Sequence, residues 1–137
     1  MAKLRSGLDE IVADDEEIAR FLTSSGYFNS RSAKPPAFQP DPADGKTSVY
    51  RHGGSPPDEL WQIASDHLGK DRRVHGAAIL TARSLRLIHL DVESSEPPPR
   101  HADIVNWPTD ADSPEEQKSK QKLLALQLCA SARLVMR

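Results

Sequence analysis

The stretch SSEPPPRHADIVNWP, residues 94–108, holds three consecutive prolines, then Arg100, His101 and Asp103, then Trp107 and a fourth proline. Proline fixes φ and removes an N–H donor, so residues 97–99 read as extended and pre-stiffened. In an extended segment residues two apart point the same way, which sets His101 and Asp103 on one side. Ile104, Val105 and Trp107 are the apolar anchors beyond them. The expected arrangement is a strap folded back onto the strand at 47–51, making the Arg51 guanidinium and the His101 imidazole neighbours.

Outward from the strap, alternation and turn signals place the other elements. TSVYR (47–51) reads as a short strand, GAAIL (76–80) as a buried central strand, and HLDVE (89–93) as a further strand. Between them lie two short helices. One opens at Ser55-Pro56, with Asp58 as a capping-box acid; its inner stripe is Leu60, Ile63, Ala64, His67 and Leu68, flanked by Trp61, and Gly69 ends it. The other, ARSLRLI, starts after Thr81 with Leu85 and Ile88 inward. Ser113, Pro114 and Glu116 start a long C-terminal helix of some 22 residues, lysine-rich at first and then strongly apolar through Val135. Ile18, Phe21 and Leu22 share helical spacing after the possible caps Asp14 and Asp15, which predicts a helix over 14–24 ended by Gly26.

Residues 1–13 read as loosely structured. Residues 14–137 form a single α+β domain with proline-rich connectors at 29–46 and 94–112, Phe38 anchoring the first. The expected fold is a small three- to four-stranded sheet packed against the long C-terminal helix and two shorter helices.

The totals narrow the function. The chain has 137 residues, enough for one core without staples, but only 37% are hydrophobic and mean hydropathy is −0.58. A net charge of −2 argues against nucleic acid as a partner. The charge is uneven. Six acids fall within residues 9–17, while Lys70, Arg72, Arg73, Arg83 and Arg86 lie mid-chain. A lone cysteine, Cys129, excludes an internal disulfide and a multi-cysteine zinc site. No apolar run suits a membrane helix or a signal peptide, so the chain reads as cytoplasmic.

Two constellations could carry chemistry. In Tyr50-Arg51-His52-Gly53-Gly54-Ser55 a strand leads through two glycines into a helix start, where an anion could be held. Pro56 and Pro57 remove donors there and Asp58 adds negative charge, so a tight turn capped by Ser55 is the plainer account. In Arg100-His101-Ala102-Asp103 the carboxylate could orient the imidazole as a general base; a histidine hydrogen-bonded to backbone is the plainer account. The candidate residues are thus His101 and Asp103 for catalysis, and Tyr50, Arg51, His52 and Arg100 for binding. The five histidines are scattered and no nucleotide or cofactor fingerprint occurs, so neither metal nor cofactor is expected.

Ala37-Phe38-Gln39-Pro40, Ser48-Val49-Tyr50-Arg51 and His101-Ala102-Asp103-Ile104 together resemble the marks of a group of small uncharacterised bacterial proteins. The resemblance spans about residues 37–104 and implies that Arg51 and His101 belong to one site or one structural knot. Tyr50-Arg51 also looks like the first strand of ADP-ribosyltransferases; the later glutamate of that pattern is left open between Glu93 and Glu96. The leading expectation is a binding or accessory module acting through a protein partner, or self-associating through its C-terminal helix. The alternative is a small enzyme for a nucleotide-like or phosphorylated substrate, with Arg51 holding the anion and His101 as base.

Overall fold

The computed structural model describes residues 3–4, 6–52, 57–68, 72–109 and 112–137. The Gly53-Gly54-Ser55-Pro56 turn and cap, Gly69 and Lys70 lie outside the described residues. In chain order the elements are β1 (Glu17–Leu22), β2 (Thr47–Arg51), α1 (Pro57–His67), β3 (Gly76–Thr81), α2 (Ala82–Arg86), β4 (Asp91–Ser94), β5 (His101–Val105), α3 (Pro114–Ser131) and β6 (Arg133–Met136). Single 3-10 turns occupy Ser25–Tyr27 and Pro35–Ala37. The strands form one antiparallel sheet in the order β4-β5-β2-β1-β3-β6.

The fold is α+β, but the sheet has six strands rather than three or four. Each added strand corrects a specific expectation. The helix expected over 14–24 is β1. Ile18, Phe21 and Leu22 do share helical spacing, yet Ala19 is equally buried. A strand near the middle of a sheet, covered on both faces, buries consecutive residues and loses its alternation. Of the two expected caps, Asp14 pairs with Arg86 instead, and the acids that follow, Glu16 and Glu17, pair with Arg51 and Arg133. β5 lies inside the 94–112 connector, because the prolines stop before His101 and leave five residues with free N–H groups.

β6 replaces the end of the expected 22-residue helix. α3 stops after 18 residues; Ala132 turns extended (ψ 142°) while its N–H still bonds Leu128 O, and the chain passes directly into a strand on β3. Close approach fixes this edge. A Cβ on Gly76 would sit 2.6 Å from Val135 O, so only glycine fits where β3 meets β6.

Two cores sandwich the sheet. One face carries Ile18, Leu22, Val49, Leu80, Val92 and Ile104, covered by α2, α3 and the 29–46 connector; Phe38 is fully buried here, and Trp107 closes it. The other carries Ala19, Phe21, Tyr50, Ala77 and Ile79 beneath Leu60, Ile63 and Ala64 of α1. Val12, 2% exposed, draws the N-terminal segment into the first core.

Candidate functional site

β5 does fold back onto the first strand of the expected site. Register pairs Tyr50 with His101 and Ser48 with Asp103, so these four side chains share the α1 face of the sheet. The His101 ring stands edge-on to Tyr50 at 5.3 Å, and His67 of α1 stacks on Tyr50 at 5.6 Å. Burial beneath α1 raises the Tyr50 hydroxyl above its ordinary pKa.

Both ring nitrogens of His101 have partners. Nε2 lies 2.7 Å from Ser48 Oγ; Nδ1 lies 2.5 Å from Ser95 Oγ and 3.3 Å from Ser95 O. A carbonyl only accepts, so the Ser95 contact assigns the proton to Nδ1 and turns the Nε2 lone pair to the Ser48 hydroxyl. Asp103 therefore does not orient the imidazole; serines do. Ser48 is exposed, so the result is a solvent-facing serine–histidine pair. Behind Nδ1 sit a hydroxyl and a carbonyl, which set the tautomer, where a catalytic triad places a carboxylate.

Arg51 points the other way. Successive residues of a strand alternate faces, so Arg51 lies on the α3 side while Tyr50 and His101 lie on the α1 side. Its side chain is 1% exposed. It donates from Nε and Nη2 to the Glu16 carboxylate, and from Nη1 to Asp9 O (2.7 Å) and Ser94 Oγ (2.6 Å). Four of its five N–H donors are thus engaged and its charge is matched, which leaves no opening for an incoming anion. The structure brings Tyr50, His101 and Asp103 together and sets Arg51 apart from them.

Arg100 ties the two regions at the backbone. It adopts a left-handed φ of 70° and donates from Nη1 to Arg51 O at 3.2 Å, while Arg51 N–H bonds Arg100 O at 2.8 Å. Its own N–H reaches Glu96 Oε2 at 3.1 Å, an oxygen that also accepts from Ser6 at 2.6 Å. Desolvation opposes ionisation of Glu96, but these hydrogen bonds and the nearby Arg51 charge hold its carboxyl below the usual range. His52, 3% exposed, has its pKa lowered by burial. Arg51, Glu16, Ser94, Glu96, Ser6 and Arg100 form a polar knot fastening the N-terminal segment and the proline loop to the end of β2.

The sequence reading missed Ser48 and Ser95. Ser48 was legible, since it lies two residues before Tyr50 on the same strand and so shares its face. Ser95 had no such signal, because its contact depends on how the chain turns through 95–100. Burial among apolar groups pushes the Cys129 thiol up to about 11, so it is no nucleophile at neutral pH. Among the described residues no group of His, Cys, Asp or Glu could hold a metal ion, and no helix is long and apolar enough to cross a membrane. Compared with known proteins, no family model matches the chain, and no curated protein or solved structure is significantly similar to it.

Proposed function

We propose that this chain is a non-catalytic binding module whose working surface is the outer face of α3, and that its first partner is a second copy of itself. The observation that carries this is the exposure of Leu123 (61%) and Leu126 (46%) on the longest helix. With Ser119 and Ala130, both exposed, they stand at 119, 123, 126 and 130, the alternating four-three-four spacing of a helix–helix seam. The seam is self-complementary in one orientation. An antiparallel pair that sets Leu123 against the partner's Leu126 also sets Ser119 against Ala130, large residues central and small ones at the ends. It opposes the lysine-rich first half, Lys118, Lys120 and Lys122, to the uncharged second half; a parallel pair would stack lysine on lysine. The enzyme reading that joins Arg51 to His101 has less support, since those groups face opposite sides of the sheet.

Size-exclusion chromatography with light scattering across a concentration series tests the proposal. The wild-type chain is expected to reach a dimer mass, and the double variant Leu123→Glu, Leu126→Glu to stay monomeric with an unchanged circular dichroism spectrum. A wild-type chain monomeric at every concentration would refute it.

A further inference from the structure

β1 and β2 part company early. Their pairing is confined to Ile18 with Arg51 and Ala19 with Tyr50, while β1 stays on β3 as far as Leu22. Arg20 fills the resulting gap, donating from Nε to Ala37 O at 2.7 Å and from Nη1 to Ser48 O at 2.9 Å, with Tyr27 6.0 Å from its guanidinium carbon. Beside it opens a cleft of about 520 Å³, lined from the β1 side by Arg20 and Arg72 and from the 39–48 segment by Asp41, Asp44, Lys46 and Ser48.

Arg20 differs in its partners from three other arginines of the protein. Arg51, Arg86 and Arg133 each meet a carboxylate. Arg20 is bonded to two neutral carbonyls, and no carboxylate forms an ion pair with it among the described residues. Burial lowers its pKa; Tyr27 offsets part of this, and the positive charge of Arg72 adds to it. Arginine remains a cation regardless, so the cleft is lined by three cations, Arg20, Lys46 and Arg72, against two acids, Asp41 and Asp44. The two acids of the cleft are committed elsewhere on one oxygen each: Asp41 Oδ1 accepts from Ala43 N–H at 2.8 Å, and Asp44 Oδ1 from Lys46 N–H at 3.0 Å. A carboxylate has acceptor capacity on both oxygens, so each can also receive a hydroxyl group.

We propose that this cleft is a binding site for a small hydroxylated oxyanion, a phosphate or carboxylate held by Arg20 and Arg72 with its hydroxyls turned to Asp41 and Asp44. The site is independent of the α3 seam. It can be occupied in a monomer, and either reading can fail without the other.

The test follows backbone amide NMR shifts during titration with inorganic phosphate, acetate and glycerol 3-phosphate, against sodium chloride at matched ionic strength. Saturable shifts at Phe21, Thr23 and Lys46–Ser48 with phosphate or acetate, absent with chloride, are expected; phosphate alone or acetate alone names the preferred group. Glycerol 3-phosphate should bind about threefold or more tightly than phosphate if the carboxylates receive hydroxyls. Arg72 is exposed, so Arg72→Ala leaves the fold intact and should weaken binding about fivefold. Chloride reproducing the shifts, shifts mapping elsewhere, or Arg72→Ala binding with wild-type affinity would each overturn the assignment.

Discussion

Replacing Glu16 by Gln keeps the shape of the residue and removes the carboxylate that pairs with the Arg51 guanidinium. The cost follows from where the charges sit. Arg51 is 1% exposed and Glu16 15%, so water cannot substitute for the lost partner. Breaking one side of a buried pair leaves an uncompensated charge and typically costs about 3–5 kcal/mol. A chain of 137 residues, at about 2.1 cal/mol/K each, carries an unfolding entropy near 0.29 kcal/mol/K around 60 °C. The melting temperature should therefore drop by about 10–17 °C. Replacing both partners, as Arg51→Met with Glu16→Leu, should cost less than Glu16→Gln alone, because no charge is left stranded. Thermal and urea denaturation of the wild type, each single variant and the double variant measure the coupling. A Glu16→Gln loss below about 1 kcal/mol would refute the reasoning, since it would mean that Arg51 is hydrated in the folded protein.

Three further outcomes can be checked by the same melts. Gly76→Ala should destabilise by about 1–3 kcal/mol by forcing a methyl against Val135 O, and the β6 amides should lose protection first. His89 is exposed with φ 68° just after α2, so His89→Gly should raise stability by about 1 kcal/mol by relieving a left-handed conformation. His52 has a lowered folded pKa, so below the unfolded value near 6.5 the unfolded chain takes up a proton that the folded chain refuses. Stability should thus fall as pH drops from about 6.5 towards the lower folded value, by at most about 1.4 kcal/mol per pH unit, and His52→Leu should flatten that slope.

The elements legible in the sequence were those with a local signature. α2 was marked by its Thr81 cap, the start of α3 by Ser113-Pro114, and β2 and β3 by short runs of strand formers. The three missed strands owe their state to neighbours. β1 is a strand because β2 and β3 flank it, and its own residues suit a helix as well. β6 continues a helical pattern until Gly76 offers a groove that a strand fills. β5 stands behind prolines that mask its free N–H groups. At the candidate site, the fold-back of the strap onto the strand at 47–51 followed from reading both segments as extended, and β5 lies on β2 accordingly. The same reading should have separated Arg51 from His101, since adjacent residues of a strand cannot share a face. Arg20 was not distinguishable in advance, because its isolation from carboxylates depends on β1 being a strand at all.

The order of the sheet also sets a schedule for solvent entry. The β1–β3 ladder runs through six residue pairs and has another strand on either side, whereas β4 and β6 each present an open rim. Amide hydrogens at the centre can exchange with deuterium only when the whole molecule opens, while those at the two rims exchange through local fraying. The stretch that looks most helical on paper, EIARFL, is therefore where the oldest protons in the protein should be found.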